Sequence, residues 1–198
     1  MRVPPRPTIP KLREAVQTCT ACELYKGTTQ AVLGEGPAKA RAMLVGEQPG
    51  DREDIEGEPF VGPAGALLDR ALQEAGIDRK DVYITNAVKH FRFRARGKRR
   101  IHQRPDREHV QACRPWLDAE LEVVVPDVLV CMGAVAAQGL LGSKVKVTQD
   151  RGRPLESDLA DVVLVTVHPS SILRAGDRRE EAYRAFVEDL EAVAQLLR

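Results

Sequence analysis

Four short, almost wholly apolar runs rich in β-branched residues constrain this chain more than any other feature: Ala42–Val45, Val82–Thr85, Val128–Cys131 and Val162–Val167. A run that is apolar at every position, rather than at alternate ones, predicts a strand buried on both faces, as in a parallel sheet covered by helices. The stretches between the runs read as helices. In Ala64–Ala75, Leu67, Leu68, Ala71, Leu72 and Ala75 recur at i, i+3 and i+4 on one face, and Asp106–Val124 and Glu180–Leu197 behave similarly. Strands alternating with helices predict right-handed crossovers, hence an α/β fold: a three-layer α/β/α sandwich around a central, mainly parallel four-stranded sheet. With 198 residues, no internal repeat and no linker, the chain is expected to form one domain over residues 1–198. A leading segment with a short helix from about Thr8 to Thr18 has no strand before it and reads as a flap.

In an open parallel sheet, ligands bind beyond the carboxyl ends of the strands, so the residues just past each strand carry information about a site. After the first run comes Gly46-Glu47-Gln48-Pro49-Gly50-Asp51, after the second Asn86, after the third Gly133, and after the fourth His168-Pro169-Ser170-Ser171. A carboxylate, amides and an imidazole converging on one edge suit a polar, planar substrate. Phe60, in the Gly/Pro-rich stretch Glu58–Gly65, offers either a stacking face or a plug at the core edge.

Lys plus Arg number 30 against 29 acids, a net of +1 that by itself points to no polyanionic partner. The average hides the distribution. From Lys89 to Arg107 nine Lys or Arg stand against the single acid Asp106, a local +8 that leaves −7 for the remainder. A mildly acidic body with one dense cationic loop suits a localised phosphate-backbone contact, through Lys98, Arg99 and Arg100 above all; a solvated charge run is the bland alternative. Four cysteines stand at 19, 22, 113 and 131, a C-x2-C pair followed by gaps of 90 and 17 residues. The longest apolar run, ten residues from Val128 to Ala137, is about half of the ~20 needed to span a bilayer, and the proline-rich Met1–Pro10 lacks the apolar core of a secretory signal. A cytoplasmic protein without membrane partners is expected, in which thiols stay reduced. Cys19, Cys22, Cys113 and Cys131 then read as a four-thiolate site for zinc or an iron-sulfur cluster, with Cys131 alternatively a core residue.

The ordered motifs Gly46-Glu47-Gln48-Pro49-Gly50, Glu58-Pro59-Phe60-Val61-Gly62-Pro63-Ala64-Gly65, Thr85-Asn86-Ala87-Val88-Lys89 and His168-Pro169-Ser170-Ser171-Ile172-Leu173-Arg174 resemble the uracil-DNA glycosylase superfamily. With the four cysteines the resemblance is to its iron-sulfur, family 4-like branch. Gln48, where that branch usually has Ala, and the insertion Gly97-Lys98-Arg99-Arg100-Ile101-His102 resemble the UdgX type, which crosslinks itself to uracil-containing DNA through the histidine of this KRRIH loop. The resemblance implies a 4Fe-4S cluster on Cys19, Cys22, Cys113 and Cys131 and uracil-containing DNA as partner, with single- or double-strand preference open and free uracil as product; a monomer is expected.

Chemistry assigns the roles residue by residue. Asn86 offers a donor and an acceptor to the O4 and N3–H edge of uracil, the opposite of what cytosine presents. Phe60 stacks on the base, and Gly46 lines the same pocket. His168 suits hydrogen bonding to the uracil O2 on which negative charge develops. By resemblance, Ser170 and Arg174 belong to a loop entering the minor groove. The cationic neighbours Lys98, Arg99, Arg100 and Arg104 are expected to keep His102 neutral and hence nucleophilic toward sugar C1′, with Glu47 orienting it or stabilising the sugar cation. Gln48 is expected to fix uracil or Glu47, and Asp51 a water or the loop carrying His102. His90 and His109, without motif support, are expected in loops or at the surface. Two other readings compete: a turnover glycosylase in which water attacks, and a non-catalytic nucleic-acid or metal-binding module.

Overall fold

The computed structural model describes residues 3–198; Met1 and Arg2, which begin the proline-rich segment, lie outside the described residues. In chain order, α1 (Ile9–Val16) precedes β1 (Ala42–Gly46), and α2 (Asp51–Glu56) and α3 (Pro63–Glu74) lead to β2 (Val82–Asn86). A hairpin of β3 (Phe93–Arg96) and β4 (Arg99–His102) runs into α4 (Arg107–Val124). Then come β5 (Val128–Met132), α5 (Ala134–Leu141), α6 (Val147–Asp150), β6 (Val162–Thr166), α7 (Pro169–Leu173) and α8 (Arg179–Leu196).

The four apolar runs form one parallel sheet in the order β2-β1-β5-β6. Because side chains alternate across a strand, each run feeds two cores. Met43, Val45, Leu129, Cys131, Val163 and Val165 meet α1, α4 and α5 on one face through Leu12, Val16, Trp116, Leu117 and Ala136. Leu44, Ile84, Val130 and Leu164 meet α3, α7 and α8 on the other through Leu68, Leu72, Ile172, Phe186 and Leu190. Each fully buried Leu, Ile or Phe contributes about 1.5–3 kcal/mol. Among the described residues no helix is long and apolar enough to cross a membrane.

The crossover from β1 to β2 runs through α3 on one face, and that from β5 to β6 through α5 on the other. Their directions diverge between β1 and β5, which opens a crevice at the carboxyl ends of these two strands. Two expectations need correction. The basic segment is not an irregular loop but an antiparallel hairpin, turned at Gly97-Lys98 with Gly97 at φ +59°, a conformation that glycine adopts without penalty. His109, expected in a loop or at the surface, is 4% exposed on α4, whereas His90, though 3% exposed, does lie in the loop after β2. His109 accepts from the Asp106 amide at 2.9 Å and meets Glu23 at 2.7 Å, joining the start of α4 to the flap beside Cys22.

Candidate active site

The crevice floor is Gly46. A Cβ there would lie 2.5 Å from both Phe60 Cζ and Asn86 Oδ1, so only glycine leaves the space between ring and amide open. Phe60 sits at φ +58°, strained for an aromatic residue, and its carbonyl occupies the place where a Cβ on Gly65 would stand, 1.6 Å away. The ring it presents stacks on His168, with centroids 5.7 Å apart. Glu53 secures both walls, accepting from the Gly50 amide at 3.0 Å and the Gly62 amide at 2.8 Å.

Asn86 ends β2. Its Oδ1 is buried with no hydrogen-bond partner among the described residues, an arrangement that costs about 1–3 kcal/mol until a donor arrives. Its carbonyl accepts from Lys89 Nζ at 2.7 Å, and that ammonium, wholly buried, forms an ion pair with Glu120. Glu120 is also wholly buried and accepts from the Gly34 amide at 2.8 Å and the Tyr83 hydroxyl at 2.9 Å.

His168 comes just after β6 and caps α7, its Nδ1 accepting from the Ser170 amide at 3.1 Å and facing the Ser170 hydroxyl at 2.8 Å. With Nδ1 an acceptor, the proton of the neutral ring lies on Nε2, free to donate. Burial, and then the charges of His102 and Arg174, push its pKa down to about 4. The Ser170 hydroxyl therefore serves His168, whereas Arg174 is close enough for its charge to act on Glu47, His102 and His168 alike.

His102 ends β4, with Nε2 2.9 Å from Gln48 Nε2 and 3.5 Å from Glu47 Oε1. Gln48 Oε1 accepts from the Arg92 amide at 3.0 Å while its Nε2 donates to the Gln103 carbonyl at 2.9 Å, which fixes the amide's orientation. An amide nitrogen thus faces His102, so the neutral ring carries its lone pair on Nε2 and its proton on Nδ1. The His102 pKa is lowered first by burial and then by Arg174; the like-charged hairpin neighbours expected to do this are not the cause. Burial raises the pKa of Glu47, with Arg104 and Arg174 opposing.

Arg100, expected at the DNA backbone, is instead partly buried and already paired within the protein. Its guanidinium pairs with Asp51 and with buried Asp54, both at 2.5 Å, and lies over the Phe91 and Phe93 rings. Asp54 also accepts from the Thr29 amide at 3.0 Å, so one carboxylate ties flap, α2 and hairpin together. Asp51 thereby holds the hairpin that carries His102. Lys98 and Arg99 remain exposed at the turn.

The four cysteines are free thiols from three elements: Cys19 and Cys22 come after α1, Cys113 lies on α4 and Cys131 on β5. Trp116 Nε1 donates to Cys19 Sγ at 3.2 Å and the Lys89 amide to Cys113 Sγ at 3.5 Å. A hydrogen bond from Cys113 draws the Cys22 pKa down to about 6 and raises that of Cys113, whereas burial alone pushes Cys131 up to about 12. Among the described residues, no three His, Cys, Asp or Glu side chains gather tightly enough to hold one metal ion. Four thiols, two of them receiving N–H donors, are a donor set of the kind that holds an iron-sulfur cluster or zinc.

An α/β sheet whose carboxyl edge carries a stacking ring, an orphaned amide oxygen and two neutral imidazoles defines a protein built to grip a planar, polar heterocycle such as a nucleobase. The chain belongs to the Uracil DNA glycosylase superfamily, whose sequence pattern matches residues 33–191. It is 41% identical over 186 residues to a Type-4 uracil-DNA glycosylase of Thermotoga maritima, covering 93% of this chain and 92% of that one. It is also 38% identical over 178 residues to the Type-4 enzyme of Pyrobaculum aerophilum, covering 86% and 87%. A match to a Bacillus phage SP01 DNA polymerase, 30% identical over 165 residues, takes in 83% of this chain but only 16% of the polymerase.

Sequence reasoning missed Glu53, Lys89 and Glu120 as supports of the site. Only Glu53 left a local signal, an acid three residues after the helix-capping Gly50.

Proposed function

We propose that this chain is a uracil-DNA glycosylase of the UdgX type, which excises uracil and is left bonded to sugar C1′ through His102. The observation that carries the reading is the placement of His102 Nε2, 3.5 Å from Glu47, on the same edge as Asn86 and His168. A target nucleotide is flipped from the strand at a cost of a few kcal/mol. Uracil stacks on Phe60, its N3–H satisfying the orphaned Asn86 Oδ1 and its O4 accepting from the Asn86 amide. Cytosine has a bare N3 and a donor at position 4, so both contacts would be reversed.

As the C1′–N1 bond breaks, its electron pair leaves on uracil. His168 Nε2–H donates to the charging O2, a contribution of the kind worth about 2.7–4 kcal/mol per donor in oxyanion sites. The Glu47 carboxylate faces the positive charge that grows on the sugar. The Nε2 lone pair of His102 forms the new bond to C1′, the imidazole sheds its Nδ1 proton, and the uracil anion gains one; no water is consumed. Lys98, Arg99 and Arg174 meet phosphates, which would also relieve the like-charged pair Arg96 and Arg99 across the hairpin. Cys19, Cys22, Cys113 and Cys131 would hold a 4Fe-4S cluster, which when bound cross-links flap, α4 and β5.

Water attack in place of His102 is a second reading, favoured by the 51% exposure of the His102 side chain, which admits solvent to the same edge. Denaturing gel electrophoresis with a labelled single-stranded uracil oligonucleotide decides between them. The proposal expects a heat- and detergent-resistant shifted band that is absent with thymine and absent for His102→Ser. Alkali-labile abasic sites without such a band would overturn capture, and neither product would overturn the glycosylase reading.

A further inference from the structure

A second concave surface begins where the catalytic edge ends. Between the start of α4 and α5 lies a cavity of about 710 Å³, floored by Val110, Val135 and Leu140 and walled by Arg104, Arg107, Gln111 and Gln138. Two of its lining residues stand close to active-site residues in the chain. Arg104 stands two residues after His102 and near enough for its charge to act on Glu47. Val135 stands two residues after Gly133, on which a Cβ would meet His168 Cβ at 2.9 Å.

The charges in the groove are unequal. Asp106 is neutralised by Arg92 at 2.7 Å, and Arg114 is committed to Asp118 at 2.5 Å and to the Gly139 carbonyl at 2.9 Å. Arg104 and Arg107, both exposed, have no ion-pair partner among the described residues. Two free guanidiniums over an apolar floor match a chain whose units alternate phosphate and flat ring, and the amides of Gln111 and Gln138 bind base edges without selecting one.

We propose that this groove receives the uracil-bearing DNA strand as it leaves the active site on one side of the flipped nucleotide, with phosphates at Arg104 and Arg107 and a neighbouring base on the Val110, Val135 and Leu140 floor. The inference rests on the glycosylase reading and extends it, because it makes the strand flanking uracil part of what is recognised. Neither the hairpin turn nor Arg174 lines this cavity, so the groove serves one flank only.

The test is a series of single-stranded uracil oligonucleotides lengthened one nucleotide at a time on the 5′ side or the 3′ side, given to the intact protein, to Arg107→Glu and to Gln138→Glu. The single-turnover rate of uracil release, with protein in excess, and the protein concentration that half-saturates it are read for each. Arg107 occupies the first turn of α4, where a glutamate is favourable to the helix, and Gln138 is exposed on α5, so both variants retain the fold. The proposal expects the protein concentration that half-saturates the single-turnover rate to fall with length on one side alone, and both variants to lose that gain while matching the wild type in limiting rate and on the shortest substrate. For Arg107→Ala, the slope of the log half-saturating concentration against log salt on long substrates becomes shallower by roughly 0.7, the share of one phosphate on a single strand. Equal length dependence on both sides, or variants that keep the gain, would overturn the groove. Failure of the wild type to release uracil from any substrate would overturn the glycosylase reading instead.

Discussion

Replacing Lys89 by Met isolates the buried ion pair beneath Asn86 at the end of β2. In the folded protein the ammonium and the Glu120 carboxylate are both wholly enclosed. The Gly34 amide, Tyr83 hydroxyl and Thr85 hydroxyl also donate to the carboxylate, at 2.8, 2.9 and 2.9 Å. Three neutral donors remain after Lys89→Met, but the charge loses its counter-ion, and removing one partner of a buried pair costs about 3–5 kcal/mol. Against a total stability of about 5–15 kcal/mol this is a large fraction, read as a fall in the urea midpoint of the intact protein at unchanged slope. Lys89→Met with Glu120→Gln removes the stranded charge as well and is expected to recover more than half of the loss. A cost below about 1 kcal/mol for the single variant, or a double variant no more stable than it, would refute the reasoning that the pair is the electrostatic keystone under Asn86.

Gly46→Ala places a methyl group 2.5 Å from both Phe60 Cζ and Asn86 Oδ1, so the ring and amide must part; uracil release falls about 100-fold, measured as the single-turnover rate with protein in excess, while the fold persists. An unchanged rate would show that the base binds elsewhere. His168, whose pKa drops from the ordinary 6.5 to about 4 in the fold, stays neutral while the unfolded chain takes up a proton. Its contribution to stability is complete above pH 6.5 and declines as pH falls toward 4, by about 3 kcal/mol at most. His168→Asn is therefore expected to flatten the pH dependence of the urea midpoint between those values, and parallel curves for the two proteins would contradict the assignment.

The sheet and the gathering of polar groups at its carboxyl edge were legible because both are written locally. An apolar run of five residues can be buried on both faces only within a covered sheet, and the position of Glu47, Asn86 and His168 at or just past the ends of their strands puts them at one edge whatever the loops do. The hairpin was hidden by charge. Its arginines interrupt the alternation of Phe91, Phe93 and Ala95 so heavily that the run reads as solvated, although Arg100 spends its charge on Asp51 and Asp54, 49 and 46 residues away. The same distance in sequence concealed the Lys89 and Glu120 pair and the burial of His109 against Glu23, since no local pattern records which charge will meet which. For His102 the expected lowering of the pKa is present, but through partial burial and then Arg174, far along the chain, rather than through its hairpin neighbours.

Capture by His102 is tested most directly by the number of uracils each protein molecule releases. With excess single-stranded uracil DNA, capture predicts a release that stops at one uracil per protein and matches, mole for mole, the adduct that survives denaturation. Release that continues past one equivalent without a rising adduct would contradict capture and leave water as the nucleophile.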